Sequence, residues 1–480
     1  MKYDVIIIGA GLGGLTAGAK LAKEGKKVLL LEQHSRPGGC ATTFQRGDFT
    51  LEVGLHEMDG PGPRDMKTRI FNDLDVFNNV EFTKAPQFYR FINDRISVTV
   101  PHDPSLASER LSEMFPDESG GIKAYFEQIL TLRKKTSEND NRDISLGEFL
   151  DSKISNDDLK LILLGNLGYF HDDPYTLSLA YYSMAQGSYY LNGASYIKGG
   201  SQKLPDHLAR FIKDHGGEVL LNHLVTGIKT RDGRAEGVTY RKKGNSEILE
   251  AFADEIIANN AIPKLPELIE GEKAVELRNE VSGLPAGASL LTLYLGFRRS
   301  PGELGNRYYS TCLFDGSVKT QADIFKNGRD DFSKRSFIFV DYSQIDSGLT
   351  AGEKSVGSIC CIDYLDGWNG LGRGDYLAKK EHVASVLIDR LDKIIPGIKG
   401  MIEYYEVGTP ATIERYTLNP GGAVYGFAQT PSKRNIDPVK SVDNLHIASA
   451  WGKTGGGFSG AIYGGYMCAF SILRKKTVNI

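Results

Sequence analysis

Two adjacent residues in the stretch EVGLHEMDG, His56 and Glu57, are the pair in this sequence best suited to moving a proton. Imidazole is the side chain whose ordinary titration falls near neutrality, and a carboxyl can serve as its partner or as an acid in its own right. The stretch has the form of a strand running out into a glycine-containing loop. Both residues are therefore expected where a scaffold can deliver them to a ligand. The blander alternative is a loop histidine satisfied by backbone beside a glutamate with a structural role. Little else in the chain competes for chemistry. There is no Ser/His/Asp order, no His/Cys pair suited to a covalent intermediate, and no metal-ligand spacing. Cys40, Cys312, Cys360, Cys361 and Cys468 are scattered without a C-x-x-C, as buried thiols in a reducing compartment would be.

The second constellation lies at the start, in YDVIIIGAGLGGLTAGAKLAKEGKKVLLLEQ. A short apolar run, as a buried parallel strand needs, breaks into a G-x-G-x-x-G made by Gly9, Gly11 and Gly14. An amphipathic helix follows to Gly25, and a second strand ends in Glu32. Gly9 permits the tight turn, Gly11 lets backbone approach a pyrophosphate, and Gly14 lets helix and strand pack closely. The helix N-terminus turns its free N–H groups toward phosphate. Glu32 can accept hydrogen bonds from a ribose diol. The glycines alone do not separate FAD from NAD.

What comes next does separate them. Glu32 is followed by Arg36 and the pair Gly38-Gly39, and this resembles the two-dinucleotide-binding flavoproteins, in which Glu-x(5)-Gly-Gly marks FAD. No second glycine fingerprint of this kind follows a strand, and GWNGLGRG at 367–374 reads as a plain loop, so no dedicated NAD(P)H site is expected. Residues 196–240 read as loop, helix, strand, strand, hairpin and strand, with Leu204, Leu208, Phe211 and Ile212 at helical spacing. Together with the C-terminal run ASAWGKTGGGFSGAIYGG, this closely resembles the carotenoid desaturase, carotenoid isomerase and retinol saturase family. The likeness extends to Thr409, Pro410, Thr412, Tyr416, Pro420, Gly422, Tyr425 and Gly426. It implies that backbone at Val225 meets the adenine and that a helix opening at Gly456, Gly457 and Phe458 faces the flavin's pyrimidine end. It also implies that His56, in the Gly-x-His form that retinol saturases carry as Gly-Ile-His-Tyr, stands beside the flavin or the substrate bond. One departure is Ser449-Ala450-Trp451, where members usually carry a Gly-x-Asp or Gly-Asp that holds the ribityl chain.

The elements that must position these residues follow. The resemblance implies an α/β fold. A Rossmann-type FAD-binding domain, glutathione reductase-like and amine oxidase-like, is assembled from 1–60, 196–285 and 409–480. An inserted α+β substrate domain comprises 61–195 and 286–408. Within the latter, eight of the 28 residues from Tyr169 to Tyr196 are Tyr or Phe. Such density suits a long apolar cavity or, equally, a core or dimer interface. KLILLGNLGYF reads alternatively as a helix that dips into a membrane.

A flavin beside an apolar tunnel does hydride or electron transfer at carbon. The resemblance implies saturation, isomerisation or desaturation of an isoprenoid, retinoid or fatty acyl chain. Gly54 and His56 favour the first two. Two other readings share the fold. One is a flavin amine oxidase, for which Trp451 and Tyr425 would form a facing aromatic pair. The other is a non-catalytic prenyl-binding escort protein. A net charge of −3 over 480 residues gives no case for nucleic acid. The start has no signal-peptide form and no apolar stretch is long enough to span a bilayer, so a cytoplasmic protein, with peripheral membrane contact left open, is expected.

Overall fold

The strand Lys2–Ile8 has parallel partners on both sides, Val28–Glu32 and Leu249–Ala258. This is the computed structural model of the chain, and it describes residues 2–131, 144–431, 433 and 439–475. Over 5–8, 28–31 and 256–258 the strands are apolar on both faces because both faces are covered. Val5, Ile7, Val28 and Leu30 pack against the helices Leu12–Lys23, Lys203–Asp214 and Gly457–Lys475. Ile6, Ile8, Leu29 and Leu31 point the other way, into a layer with Val225, Ile228, Val238 and Ile262. The alternation is the two-residue period of a strand. Glu218–Leu221 extends this sheet on one edge, and Arg234–Lys242 and His223–Arg231 on the other, while Leu445–Ile447 lies beside Leu249–Ala258.

A second seven-stranded sheet runs in the order Ile402–Gly408, Ser289–Phe297, Ser355–Asp363, Phe337–Asp341, Ser310–Leu313, Tyr89–Ile92, Ser97–Val100. One face carries Leu291, Leu293, Leu295 and Ile359 against Val383, Leu387 and Leu391 of the helix Arg373–Ile394. The other face carries Leu290, Thr292, Cys360 and Ile362, which floor a cavity. Cys360 and Cys361 thus point to opposite sides, as neighbours on a strand must.

A small sheet of Met58–Asp59, Ala194–Ile197 and Phe82–Lys84 sits where the loop carrying His56 ends.

Two segments differ from one of the readings open in the sequence. In KLILLGNLGYF, Leu161, Ile162, Leu163, Leu164 and Leu167 are all within 2% of complete burial, so this apolar face is committed to the core and not to a membrane. Trp451 is buried edge-on against Phe427 and donates its indole N–H to Asn419, so it does not pair with Tyr425. The run GWNGLGRG follows a strand and precedes a helix. That strand lies between two antiparallel neighbours, however, and added side chains at Gly370 and Gly374 would meet nothing within 4 Å. Among the described residues no helix is long and apolar enough to cross a membrane.

Candidate active site

The glycine loop is held in a crowded cradle. A side chain at Gly14 would strike the carbonyl of Gly9, and one at Gly13 would strike that of Ala448. A Cβ at Gly11 would lie 2.9 Å from Nδ2 of Asn259, which itself donates to the Gly9 carbonyl at 3.0 Å. Gly9, with φ of +96°, makes the turn. Gly11 caps the helix Leu12–Lys23 without any side-chain hydrogen bond to its first turn. The first-turn N–H groups are left for a ligand, which is what a pyrophosphate takes. Gly38 donates its N–H to the carbonyl of Ala10 at 2.7 Å, so the Gly38-Gly39 turn lies directly against the loop.

The carboxylate of Glu32 accepts from the backbone N–H groups of Ala10 at 2.7 Å and His34 at 2.8 Å. Burial pushes it above the usual carboxylate range, partly offset by those donors. The C-terminal helix Gly457–Lys475 crosses the same place, since a Cβ at Gly465 would strike the Gly13 carbonyl. Glycines whose hydrogens are the close contacts, and unclaimed amides between them, fit the diphosphate of FAD. Arg36 is exposed and reaches the Thr43 carbonyl at 3.5 Å. Val225 is buried beside a register irregularity in its strand.

From the start of the C-terminal helix a cavity of about 700 Å³ opens across the floor of the second sheet. Gly456, Gly457, Phe458 and Tyr425 line one part, residues 53–59 another, and Phe314, Ile338 and Ile362 the apolar remainder. The aromatic stretch divides along its helix Leu179–Asn192. Tyr181 and Tyr189 face the cavity, while Tyr182 and Tyr190 face a core with Tyr125 and Phe126. Both alternatives left open by the sequence are therefore true, of different residues.

His56 and Glu57 both line this cavity and both are buried. The imidazole stands between two hydroxyls, with Nδ1 3.2 Å from Tyr169 Oη and Nε2 3.4 Å from Ser358 Oγ. The carbonyl of His56 accepts from the Tyr309 hydroxyl. Burial lowers the imidazole to about 4, so at neutral pH the ring is uncharged, with one nitrogen donating and one accepting. Glu57 is pushed well above the carboxylate range by burial, and its Oε2 has no hydrogen-bond partner.

Two residues on, burial again pushes Asp59 upward, but Lys67 and the hydroxyls of Ser188 and Ser459 together outweigh it. Its carboxylate is ion-paired to Lys67 at 2.7 Å, accepts from Ser188 and Ser459, and stays below the usual range.

Opposite pH dependences follow. Between pH 6.5 and about 4 the unfolded chain protonates His56 before the folded one does, so stability falls as pH falls through that window. Glu57 works in the other direction. Folding holds its proton while the unfolded chain loses it above 4.5, so stability is lost as pH rises. Glu57→Gln is expected to be more stable than the native chain above pH 5. The gap should widen by at most about 1.4 kcal/mol per pH unit until the folded-state titration is reached. Denaturant unfolding at pH 5, 6.5 and 8 measures it, and a gap that is flat or shrinks with pH contradicts a neutral Glu57.

The sequence motifs did not point to Asn259, Asp59, Lys67 or Tyr169. Asn259 follows directly on the strand Leu249–Ala258, and its position after a buried strand was the available signal. Lys67 and Asp59 reveal themselves only by meeting in space. The Thr-Pro-x-Thr pattern proves architectural. Thr409 caps the helix Pro410–Thr417 in a reciprocal capping box with Thr412. At the departure from Gly-x-Asp, Ser449 Oγ accepts from the Trp451 N–H at 3.0 Å, and it is the backbone carbonyl of Ala448 that approaches Gly13.

A family model described as flavin containing amine oxidoreductase matches residues 12–350. The all-trans-retinol 13,14-reductase of Danio rerio is 26% identical, over 98% of this chain and 86% of its own length. The chloroplastic prolycopene isomerase of Daucus carota is 26% identical over 98% and 80%. An oxidoreductase from Methanosarcina mazei shares the fold with a TM-score of 0.69 at 16% identity, over 99% of this chain and 100% of that one. Putrescine oxidase bound to putrescine does so with a TM-score of 0.67 at 15%, over 99% of each. The glycine cradle and a model match spanning well over half the sequence agree: this chain belongs to the flavin containing amine oxidoreductase family of FAD-dependent oxidoreductases.

Proposed function

We propose that the enzyme acts on C=C or C–C bonds of an apolar isoprenoid, retinoid or fatty acyl substrate, by saturation or isomerisation ahead of desaturation. The supporting observation is the cavity itself. It runs from Gly456–Gly457 at the start of the C-terminal helix, past His56, onto an apolar floor of Leu290, Ile338 and Ile362. The relatives named for retinol and prolycopene support the same substrate class. Bound FAD supplies the redox chemistry.

The chain's residues do the rest. Gly9, Gly11, Gly14, Gly38 and Gly39 hold the diphosphate, Glu32 the ribose, and Val225 the adenine through its backbone, with Arg36 at the outer edge. Gly456, Gly457 and Phe458 present helix N–H groups to the flavin. The pieces 1–60, 196–285 and 409–480 serve as the FAD domain, and 61–195 with 286–408 as the substrate domain.

His56 is proposed to hold or relay a proton at the reacting carbon. Its ring is fixed by Tyr169 and Ser358, and its backbone by Tyr309. His56→Ala is expected to lower turnover by roughly a hundredfold with flavin content unchanged. Turnover within about twofold of the native rate would remove it from the mechanism.

The reaction itself is tested by anaerobic incubation of the reduced and, separately, of the oxidised holoenzyme with all-trans-retinol and with prolycopene, and by incubation of the oxidised holoenzyme with a diamine under air. Mass spectrometry and chromatography then read the products. Gain of a hydrogen pair on a polyene identifies saturation, loss identifies desaturation, and a shifted isomer of unchanged mass identifies isomerisation. Oxidation of the diamine under air, with neither polyene altered, would overturn the reading.

A further inference from the structure

Three acids lie within eight residues, on or beside the loop that enters the cavity, and each meets burial differently. Glu52 is buried, and its oxygens accept from Ser201 N at 2.8 Å, Ser201 Oγ at 2.6 Å, Tyr196 Oη at 3.0 Å and Leu55 N at 3.2 Å. Asp59 is ion-paired to Lys67. Glu57 stands between them, 7% exposed, on the cavity wall, with Oε2 unpartnered and no basic side chain paired to it among the described residues. The titratable groups that face it are Tyr169, Tyr189, Tyr309 and Cys312, and burial pushes each of these upward, so none brings a charge. A buried carboxyl with one oxygen left without a partner is costly and stays neutral unless a ligand completes it. Glu52 and Asp59 are completed by the protein. Glu57 is not.

We propose that Glu57 is the polar anchor of the cavity: as a neutral carboxylic acid it hydrogen-bonds an oxygen of the ligand, so the ligand is an oxygenated apolar molecule (an alcohol, aldehyde or ketone) and not a hydrocarbon. This rests on the cavity being the substrate site, as proposed above, and narrows the substrate class. The neutral acid donates to a carbonyl or hydroxyl oxygen, and its own carbonyl accepts from a hydroxyl. A hydrocarbon would leave Oε2 without a partner. Discrimination of this kind is large because the cost falls on a buried group of the site.

The test uses the holoenzyme with two probes, geranylgeraniol and the hydrocarbon of the same skeleton. Binding is read from perturbation of the flavin absorption. The native protein and Glu57→Gln, whose amide still donates and accepts, are expected to bind the alcohol at least about tenfold more tightly. Glu57→Leu should abolish that preference and bind the hydrocarbon better than the native protein does. Infrared difference spectroscopy of the native protein against Glu57→Gln at pH 7 should show the C=O stretch of a protonated carboxylic acid. This second measurement needs neither probe nor the leucine variant. Equal binding of the two probes, binding of neither, a preference that survives Glu57→Leu, or absence of the carboxylic acid band would overturn the proposal. A protein that takes up no flavin would instead overturn the functional reading beneath it. Flavin-dependent turnover of hydrocarbons without alcohol preference would overturn this inference alone.

Discussion

Gly14→Val is expected to leave the protein with less than about a tenth of its flavin. Gly14 is where the helix Leu12–Lys23 comes closest to the strand before it: a Cβ would strike the Gly9 carbonyl and sit 3.0 Å from Cβ of Asn259. Neither neighbour can yield, since the Gly9 carbonyl accepts from Asn259 and the strand is flanked on both sides. The helix must lift, and its first-turn amides move away from the place proposed for the diphosphate. Overpacking of this kind costs about 1–3 kcal/mol, occasionally more, before any ligand is considered. The C-terminal helix is levered by the same movement, because its Gly465 rests on the Gly13 carbonyl. Gly374→Ala is the control: it lies near the start of a helix with nothing within 4 Å, so flavin content should not change. Stoichiometric flavin in purified Gly14→Val would contradict the role given to the loop.

The second large effect is expected from Lys67→Met. The ammonium is 2.7 Å from Asp59 and 2.6 Å from Asp65, and its side chain is 4% exposed. Removing it leaves two buried carboxylates without their cation, which in a buried pair costs about 3–5 kcal/mol. Asp59 also receives the hydroxyls of Ser188 and Ser459, so it links the loop to the first turn of the C-terminal helix. The double variant Lys67→Met/Asp59→Asn should recover part of the loss, because an amide needs no counter-charge. Equilibrium unfolding in urea checks both. A single variant within about 1 kcal/mol of the native protein would contradict a structural ion pair.

These two sites were unequally legible. Gly9, Gly11 and Gly14 announce themselves because the turn and the close helix–strand contact are local in sequence, and the contacts in the fold are the ones such a spacing demands. The two residue faces along Leu179–Asn192 were half legible. The aromatic density was visible, but which ring meets the cavity depends on where the helix is docked. Lys67 and Asp59 were not legible. Their pairing is a tertiary fact, made by a short strand and a helix whose approach no short-range pattern encodes.

Glu57 was visible as a residue, but its significance lies in a buried oxygen, Oε2, without a partner, which only packing reveals. Trp451 was misleading for a related reason. An aromatic beside the glycine-rich loop can face the cavity or the core with the same spacing, and its edge-on contact with Phe427 puts it in the core.

The visible spectrum of the purified protein tests the central claim most directly. The chain is expected to carry FAD, or to take it up to one equivalent, showing the absorption of oxidised flavin near about 450 nm, and that band should be perturbed when an apolar isoprenoid enters the cavity. A correctly folded protein that binds no flavin on reconstitution, or whose flavin spectrum is indifferent to every isoprenoid and acyl chain offered, would contradict it.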